Sequence, residues 1–190
     1  MTDALGTSIV VEDEGPMLVL VGAPGAGKTT VGKACARRLG VAFADSDHLV
    51  EKRAGKRVAD IFVDEGEPAF RAWERDTVAD ALREQRGVLS LGGGAVLDPG
   101  TRRLLGSQRV VWLQVGVGDA ARRVGLNAAR PLLVGNVRGT LSALLAQRTP
   151  LYEEVCDAAV ETDGRTVDAV TDDVLAAVAA LGGPRPAGAT

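Results

Sequence analysis

One segment of the chain, residues 22–29 (GAPGAGKT), has the residue types and spacing of a phosphate-binding loop. It fits the pattern G-x-x-x-x-G-K-[ST] and lies between an apolar run and a helical pattern, the context that this motif requires. The three glycines permit positive φ angles and bring backbone N–H groups close to phosphate oxygens. Lys28 has the charge to reach the β- and γ-phosphates, and the Thr29 hydroxyl is a ligand for Mg²⁺. The segment therefore predicts binding of a nucleoside triphosphate with Mg²⁺.

Two carboxylates, Asp45 and Asp47, stand two residues apart after the second apolar run. Ligands of open α/β sheets collect at the carboxyl ends of the strands. Side chains two apart on an extended backbone share a face, so both carboxylates are expected to reach the cleft. The alternative interpretation is that one of them only caps the next helix.

The remaining polar segments favour a small-molecule kinase over a GTPase. The only asparagines, Asn127 and Asn136, do not form the N-K-x-D segment that reads guanine. A small-molecule kinase needs an acceptor pocket, a base for the acceptor hydroxyl, and arginines that neutralise the transferring phosphoryl group. The candidate segments are 45–47 (DSD), 70–74 (FRAWE), 92–94 (GGG), 127–133 (NAARPLL) and 147–152 (QRTPLY).

Short apolar runs alternate with longer helical patterns along the chain, which predicts a doubly wound α/β fold. The apolar runs predict buried parallel strands at 17–21, 41–44, 88–91, 110–115 and 158–160. Apolar residues at helical spacing predict helices at 28–39, 67–85, 98–105, 118–124, 138–147 and 167–181.

Composition excludes several classes of function. The 190 residues are 46% hydrophobic and 25% charged, as in a globular domain, and the formal net charge of −3 gives no basic footprint for nucleic acid. No apolar run approaches the roughly 20 residues of a membrane helix. Cys35 and Cys156 show no metal or redox spacing and fit a reducing cytosol. We expect a cytoplasmic monomer with a disordered N-terminal extension at 1–16, a flexible tail at 182–190, and no nucleic-acid or membrane partner.

Taken together, the segments resemble the shikimate kinase family over residues 17–181. The order D-x-D, F-R-x-x-E, L-G-G-G-A-V, R-P-L-L and R-x-P-L-Y carries the resemblance. It implies a P-loop kinase fold: a five-stranded parallel sheet in the order 2-3-1-4-5, flanked by helices, with a substrate-binding segment at 46–75 and a mobile lid at 125–139. The implied reaction uses ATP and Mg²⁺ to phosphorylate the 3-hydroxyl of shikimate, giving shikimate 3-phosphate and ADP on the route to chorismate and the aromatic amino acids.

The resemblance also implies a role for each matched residue. The catalytic residues are Lys28, Asp47 as candidate base, and Arg130, which closes over the phosphates. The nucleotide-binding residues are Gly25, Ala26, Gly27, Lys28, Thr29, Thr30, Arg123, Arg130 and Arg165. The substrate-binding residues are Asp47, Phe62, Phe70, Arg71, Glu74, Gly92, Gly93, Gly94 and Arg148. The magnesium site is formed by Thr29 and Asp45.

Other interpretations of these residues stay open at the level of sequence. Arg71 and Glu74 have the spacing of a surface ion pair, and the three glycines have the composition of a tight turn. Leu91 stands where many relatives have threonine, which removes a side-chain role there. The rival functions are another small-molecule kinase, such as a gluconate or nucleotide kinase, and an inactive binding domain on the same fold. Arg71 together with Arg148 favours a carboxylate substrate over a neutral polyol.

Overall fold

A computed structural model describes residues 15–125 and 137–182, and it contains a five-stranded parallel sheet. The strand order is β2-β3-β1-β4-β5, which confirms the expected sheet. The strands are β1 Leu18–Val21, β2 Phe43–Asp45, β3 Val88–Ser90, β4 Val110–Gln114 and β5 Ala158–Glu161.

Helices follow the strands and cover both faces of the sheet. They are α1 Lys28–Leu39, α2 Ser46–Ala54, α3 Val58–Asp64, α4 Gly66–Glu84, α5 Pro99–Leu105, α6 Val117–Gly125, α7 Val137–Val155 and α8 Val167–Ala180, with a 3₁₀ turn at Ala95–Leu97. None of the helices in 15–125 and 137–182 is both long enough and apolar enough to span a membrane.

The core lies on the two faces of the sheet because side chains of a strand alternate between faces. Leu18 and Leu20 of β1 pack with α1 and α8 on one face. Val19 and Val21 pack on the other face with α4, α5 and the C-terminal part of α7. Cys35 is buried in the first core as a small apolar side chain, and its burial raises the pKa of the thiol to about 11.

Strand β1 is the point at which the topology changes direction. Its neighbours are β3 and β4, so successive parts of the chain leave the carboxyl end of β1 toward opposite edges of the sheet. Ligands of such folds bind in the crevice at that point. The phosphate loop lies there, between β1 and α1.

Helix α7 is longer than the sequence pattern predicts. The helix was expected to end at residue 147, but it continues through Pro150 to Val155. Proline removes one backbone hydrogen bond, yet Leu141, Arg148, Tyr152 and Val155 are all buried along this helix. The prediction was wrong because tertiary burial outweighs the local cost of the proline, and the result places Arg148 and Tyr152 one turn apart on one helix.

The apolar pattern of residues 46–64 predicts no separate helices, whereas the structure has α2 and α3 there. Both helices belong to the segment that the family resemblance assigns to substrate binding. Gly15 and Pro16, expected to belong to a loose end, are buried. The other predictions for the termini, and most of the predicted lid at 125–139, lie outside the described residues.

Candidate active site

The phosphate loop has the backbone conformation that its glycines predict. Gly22, Gly25 and Gly27 have φ angles of 145°, 84° and 88°, in the region that residues with a Cβ rarely adopt. The Lys28 ammonium donates hydrogen bonds to the carbonyl oxygens of Gly22 (2.7 Å) and Ala23 (3.1 Å). The Lys28 side chain thus folds back over the loop, a position from which its charge can reach a bound phosphate.

Asp45 connects the phosphate loop to the start of α2. The Thr29 hydroxyl donates to Asp45 Oδ2 at 2.8 Å, and the backbone N–H of Asp47 donates to Asp45 Oδ1 at 3.1 Å. Asp45 is therefore the N-cap of α2, which was the alternative interpretation of this carboxylate. It also contacts Thr29, the other residue of the predicted magnesium site. Residues 15–125 and 137–182 contain no group of three or more His, Cys, Asp or Glu side chains that could hold a metal ion.

The three consecutive glycines after β3 are the point on which the acceptor-side residues converge. A Cβ on Gly92 would lie 2.5 Å from Asp47 Oδ1 and 2.9 Å from Glu74 Oε1, and a Cβ on Gly94 would overlap the Arg71 guanidinium. The Gly92 N–H also donates to Ser46 Oγ at 2.8 Å. The side chains of Asp47, Glu74 and Arg71 can approach because this backbone carries no side chains.

Gly93 joins this acceptor side to the phosphate loop. A Cβ there would lie 3.1 Å from Pro24 Cδ and 3.2 Å from the Gly22 carbonyl oxygen. The Gly93 carbonyl accepts a hydrogen bond from the Tyr152 hydroxyl at 2.7 Å. The predicted nucleotide and acceptor groups are therefore adjacent, as a direct transfer between them requires.

Arg71 and Glu74 form an ion pair in which the carboxylate is buried and the arginine half-buried, not the surface pair of the alternative interpretation. Arg71 Nη1 lies 2.6 Å from Glu74 Oε2, and the Glu74 side chain is only 5% exposed. On its outer side Arg71 also pairs with Glu67 at 2.9 Å. Burial raises the pKa of the Glu74 carboxyl, and the adjacent Arg71 charge opposes that rise.

Arg148 is a buried cation with an unused donor. The residue is 7% exposed, and its Nε has no hydrogen-bond partner within the described part of the chain. Its positive charge lies close enough to the Tyr152 hydroxyl and to the Glu74 carboxyl to lower the pKa of both groups. A buried donor without a partner is costly, so this arginine is suited to an anionic ligand.

The two predicted phenylalanines lie together beside Arg71. The ring centroids of Phe62 and Phe70 are 4.6 Å apart, and Arg71 Cζ lies 5.3 Å from the Phe70 ring centroid. Phe70 is buried with Val50 and Ile61 in a small core between α2, α3 and α4. The rings give the arginine an apolar support.

The predicted nucleotide arginines lie on the other side of the phosphate loop. Arg123 donates to the carbonyl oxygens of Gly25 (3.1 Å) and Thr162 (2.7 Å), and Arg165 pairs with Asp173 at 2.7 Å. A cavity of about 180 Å³ opens between them. Its lining includes Ala26, Gly27, Thr30, Arg123, Thr162 and Arg165.

Comparison with known proteins agrees with this geometry. The family model described as shikimate kinase matches residues 24–179. The chain is 58% identical over 172 residues to the shikimate kinase of Frankia casuarinae, covering 90% of this chain and 76% of that protein. It is 52% identical over 167 residues to the shikimate kinase of Thermobifida fusca, covering 88% and 97%.

The chain belongs to the shikimate kinase family. A structure of the Acinetobacter baumannii shikimate kinase in complex with shikimate superimposes with a TM-score of 0.85 at 35% identity, covering 90% of this chain and 96% of that one. The family and the P-loop kinase fold predicted from the sequence are confirmed, and the chain is a kinase.

Three residues of this shikimate kinase family member contact the predicted site without having been assigned a role. Ser46 accepts from Gly92 N, Tyr152 donates to Gly93, and Asp119 accepts from Gly164 N at 3.0 Å and from Arg123 at 3.2 Å. Two signals were present: Tyr152 lies four residues after Arg148, and Asp119 lies four before Arg123, the spacing of neighbours on a helix. Ser46 has no comparable signal.

Arg130 and His48 are not among the described residues that the structure brings together at the site. Arg130, the predicted lid arginine, lies outside the described residues. His48, the single histidine of the sequence, lies on the surface of α2 with its side chain 78% exposed.

The burial of Glu74 predicts a pH-dependent change in stability. A carboxyl with a raised pKa in the folded state makes folding less favourable as pH rises from its unfolded value, about 4.3, through its folded value. We therefore expect Glu74→Gln to be more stable than the wild type above the folded pKa, with the difference disappearing below about pH 4.3. Urea unfolding of both proteins from about pH 4 to about pH 8 measures this difference.

The matched control for this prediction is Glu67→Gln. Glu67 pairs with the same arginine, but its side chain is half exposed. We expect no gain in stability from this control at neutral pH. A wild type that stays more stable than Glu74→Gln by the same margin at every pH would contradict the prediction.

Proposed function

We propose that the chain transfers the γ-phosphoryl group of ATP to the 3-hydroxyl of shikimate, giving shikimate 3-phosphate and ADP. Membership of the shikimate kinase family supports the reaction. The observation that carries the residue assignment is the convergence of Asp47, Glu74 and Arg71 on Gly92–Gly94, directly beside the phosphate loop. Tyr152, one turn after Arg148 on α7, donates a hydrogen bond to the Gly93 carbonyl. The reaction belongs to the pathway that leads to chorismate and the aromatic amino acids.

Arg71 and Arg148 bind the carboxylate of shikimate in this proposal. A guanidinium fork matches a carboxylate in two parallel hydrogen bonds. Glu74 orients Arg71 through the 2.6 Å ion pair, and Arg148 has a buried Nε without a partner among the described residues. Phe62 and Phe70 support the ring of the acceptor from below Arg71.

Asp47 accepts the proton of the 3-hydroxyl as the oxygen attacks the γ-phosphorus. The bond between that oxygen and phosphorus forms while the bond to the β-phosphate oxygen breaks, and ADP leaves. The carboxylate lies at Gly92, next to the backbone that contacts the phosphate loop. Lys28, together with Arg130, neutralises the charge of the transferring group.

Thr29 and Asp45 are the residues that hold Mg²⁺. Their oxygens lie 2.8 Å apart at the start of α1, and a hydroxyl with a single carboxylate fits an ion that takes its other ligands from water and substrate phosphates. When bound, Mg²⁺ neutralises phosphate charge.

We further propose that the enzyme acts in the cytoplasm as a monomer. Cys35 and Cys156 are free thiols, which supports a reducing compartment.

An acceptor panel tests the proposed reaction. We expect ADP release to rise with shikimate and to stay near the background rate with gluconate or nucleoside monophosphates. Shikimate methyl ester keeps the ring and hydroxyls but loses the negative charge, so its kcat/KM should fall at least about tenfold. A coupled ADP-release assay measures all of these rates. Equal stimulation by gluconate would refute shikimate as the acceptor, and an unchanged rate with the ester would refute the arginine–carboxylate contact.

A further inference from the structure

A buried hydroxyl connects two groups of the acceptor side. Tyr152 is fully buried, and its ring stacks on Trp112 with centroids 5.8 Å apart. Its oxygen donates to the Gly93 carbonyl at 2.7 Å. The Arg148 guanidinium, one turn earlier on α7, lies close enough to the hydroxyl to lower its pKa. Burial raises the pKa of Tyr152 to about 12, so the hydroxyl keeps its proton at physiological pH.

The two partners of this hydroxyl lie on different parts of the fold. Arg148 is one turn before Tyr152 on α7, whereas Gly93 lies in the loop after β3. On its other side Gly93 approaches Pro24 and the Gly22 carbonyl of the phosphate loop. The Tyr152 oxygen therefore links α7 to the backbone that separates the acceptor side from the nucleotide side.

The chemistry of a phenol suits this position. Its oxygen is uncharged, so it holds a guanidinium without neutralising it, whereas Glu74 compensates the charge of Arg71 in a 2.6 Å ion pair. The Nε of Arg148 has no partner within 15–125 and 137–182, so Tyr152 lies beside a guanidinium that keeps at least one N–H free for a ligand. Restraint before binding lowers the entropic cost of ligand capture.

We propose that Tyr152 is a positioning residue for the acceptor: its hydroxyl holds the Arg148 guanidinium and the Gly93 peptide in the orientation that receives the substrate carboxylate. The proposal rests on the function proposed above. Tyr152 itself makes no contact with the reacting atoms, and its effect is exerted through Arg148 and Gly93.

The test is Tyr152→Phe, which keeps the ring on Trp112 and removes only the hydroxyl. We expect KM for shikimate, and its dissociation constant without nucleotide, to rise about tenfold, the effect of losing a hydrogen bond to a charged group. KM for ATP is expected to stay unchanged. Steady-state kinetics and titration calorimetry measure these constants, and the thermal midpoint is recorded for every variant.

A double-mutant cycle shows whether the effect passes through Arg148. Arg148→Lys keeps the charge but loses the planar fork. If Tyr152 acts through Arg148, the rise in shikimate KM in the double variant is smaller than the product of the two single rises.

Thr171→Val is the matched control. Thr171 is fully buried, and its hydroxyl also donates to a backbone carbonyl at 2.7 Å, but it lies on α8 against the opposite face of the sheet. We expect this variant to keep the wild-type KM for shikimate.

The outcomes separate the positioning role from the proposed reaction. A wild type without turnover on shikimate refutes the reaction and, with it, the inference. An active wild type with an unchanged shikimate KM in Tyr152→Phe overturns the inference alone, as does an equal rise in both KM values. If the two rises in shikimate KM multiply in the double variant, Tyr152 does not act through Arg148, and the inference is also overturned.

Discussion

Asp47→Asn is expected to lower turnover by about 10²–10⁴-fold, the usual contribution of a general base. Asparagine keeps the shape of the side chain beside Gly92 but loses the ability to accept a proton. Shikimate binding should weaken modestly, because an amide is a weaker acceptor than a carboxylate. Nucleotide binding should survive, since the phosphate loop contacts Asp45 rather than Asp47 through Thr29. Turnover and both dissociation constants are the measurements.

The matched control for Asp47 is Asp80→Asn. Asp80 pairs with Arg53 on the surface of α4, so its loss should leave turnover unchanged. Retention of more than about a tenth of wild-type turnover by Asp47→Asn, against the lower end of that range, would show that Asp47 positions the hydroxyl without acting as a base.

The parts of the fold that depend on local pattern were predictable from the sequence. The apolar runs located all five strands to within two residues at either end, because a buried parallel strand needs a continuous apolar stretch. The phosphate loop was predictable for a similar reason: its glycines, lysine and threonine each satisfy a backbone or charge requirement within eight consecutive residues. The strand order came only from the family resemblance.

The contacts between distant segments were not predictable from local pattern. The glycines at 92–94 suggested a close approach of the backbone to a ligand or a tight turn, but their crowding comes from Asp47, Glu74 and Arg71. The extension of α7 past Pro150 depends on burial against the sheet, which local propensity does not report. Without that extension, the relation between Arg148 and Tyr152 could not be seen.

The burial of Glu74 illustrates the same limit in energetic terms. A glutamate three residues after an arginine has the same spacing whether the pair lies on the surface or beneath Gly92. Only the packed structure shows that the carboxyl is buried, and burial gives it the raised pKa. The spacing thus predicts the partner of Arg71 but not the stability cost of keeping that partner charged.

Lys28→Met is expected to lower turnover by about 10²–10³-fold, the usual effect of removing one preorganised group that stabilises transition-state charge. The Lys28 ammonium now bonds the Gly22 and Ala23 carbonyls, so it is held at the loop before the nucleotide arrives. Methionine has similar length but no charge, and KM for ATP should rise as well, because the lysine also contacts the phosphates of the ground state. Shikimate binding without nucleotide should be unchanged, because Arg71 and Arg148 belong to other elements.

Lys33→Met provides the control for this prediction on the same helix. Lys33 is exposed on α1 and lies 5.9 Å from the Phe43 ring centroid, away from the phosphate loop. The same loss of one positive charge should leave turnover and both binding constants unchanged, which separates the position of Lys28 from its effect on net charge. If both lysine variants lose turnover equally, a general electrostatic effect accounts for the loss. If Lys28→Met also weakens shikimate binding without nucleotide, the phosphate loop and the acceptor side are coupled in the free enzyme through Gly93, which lies close to Gly22 and accepts a hydrogen bond from Tyr152.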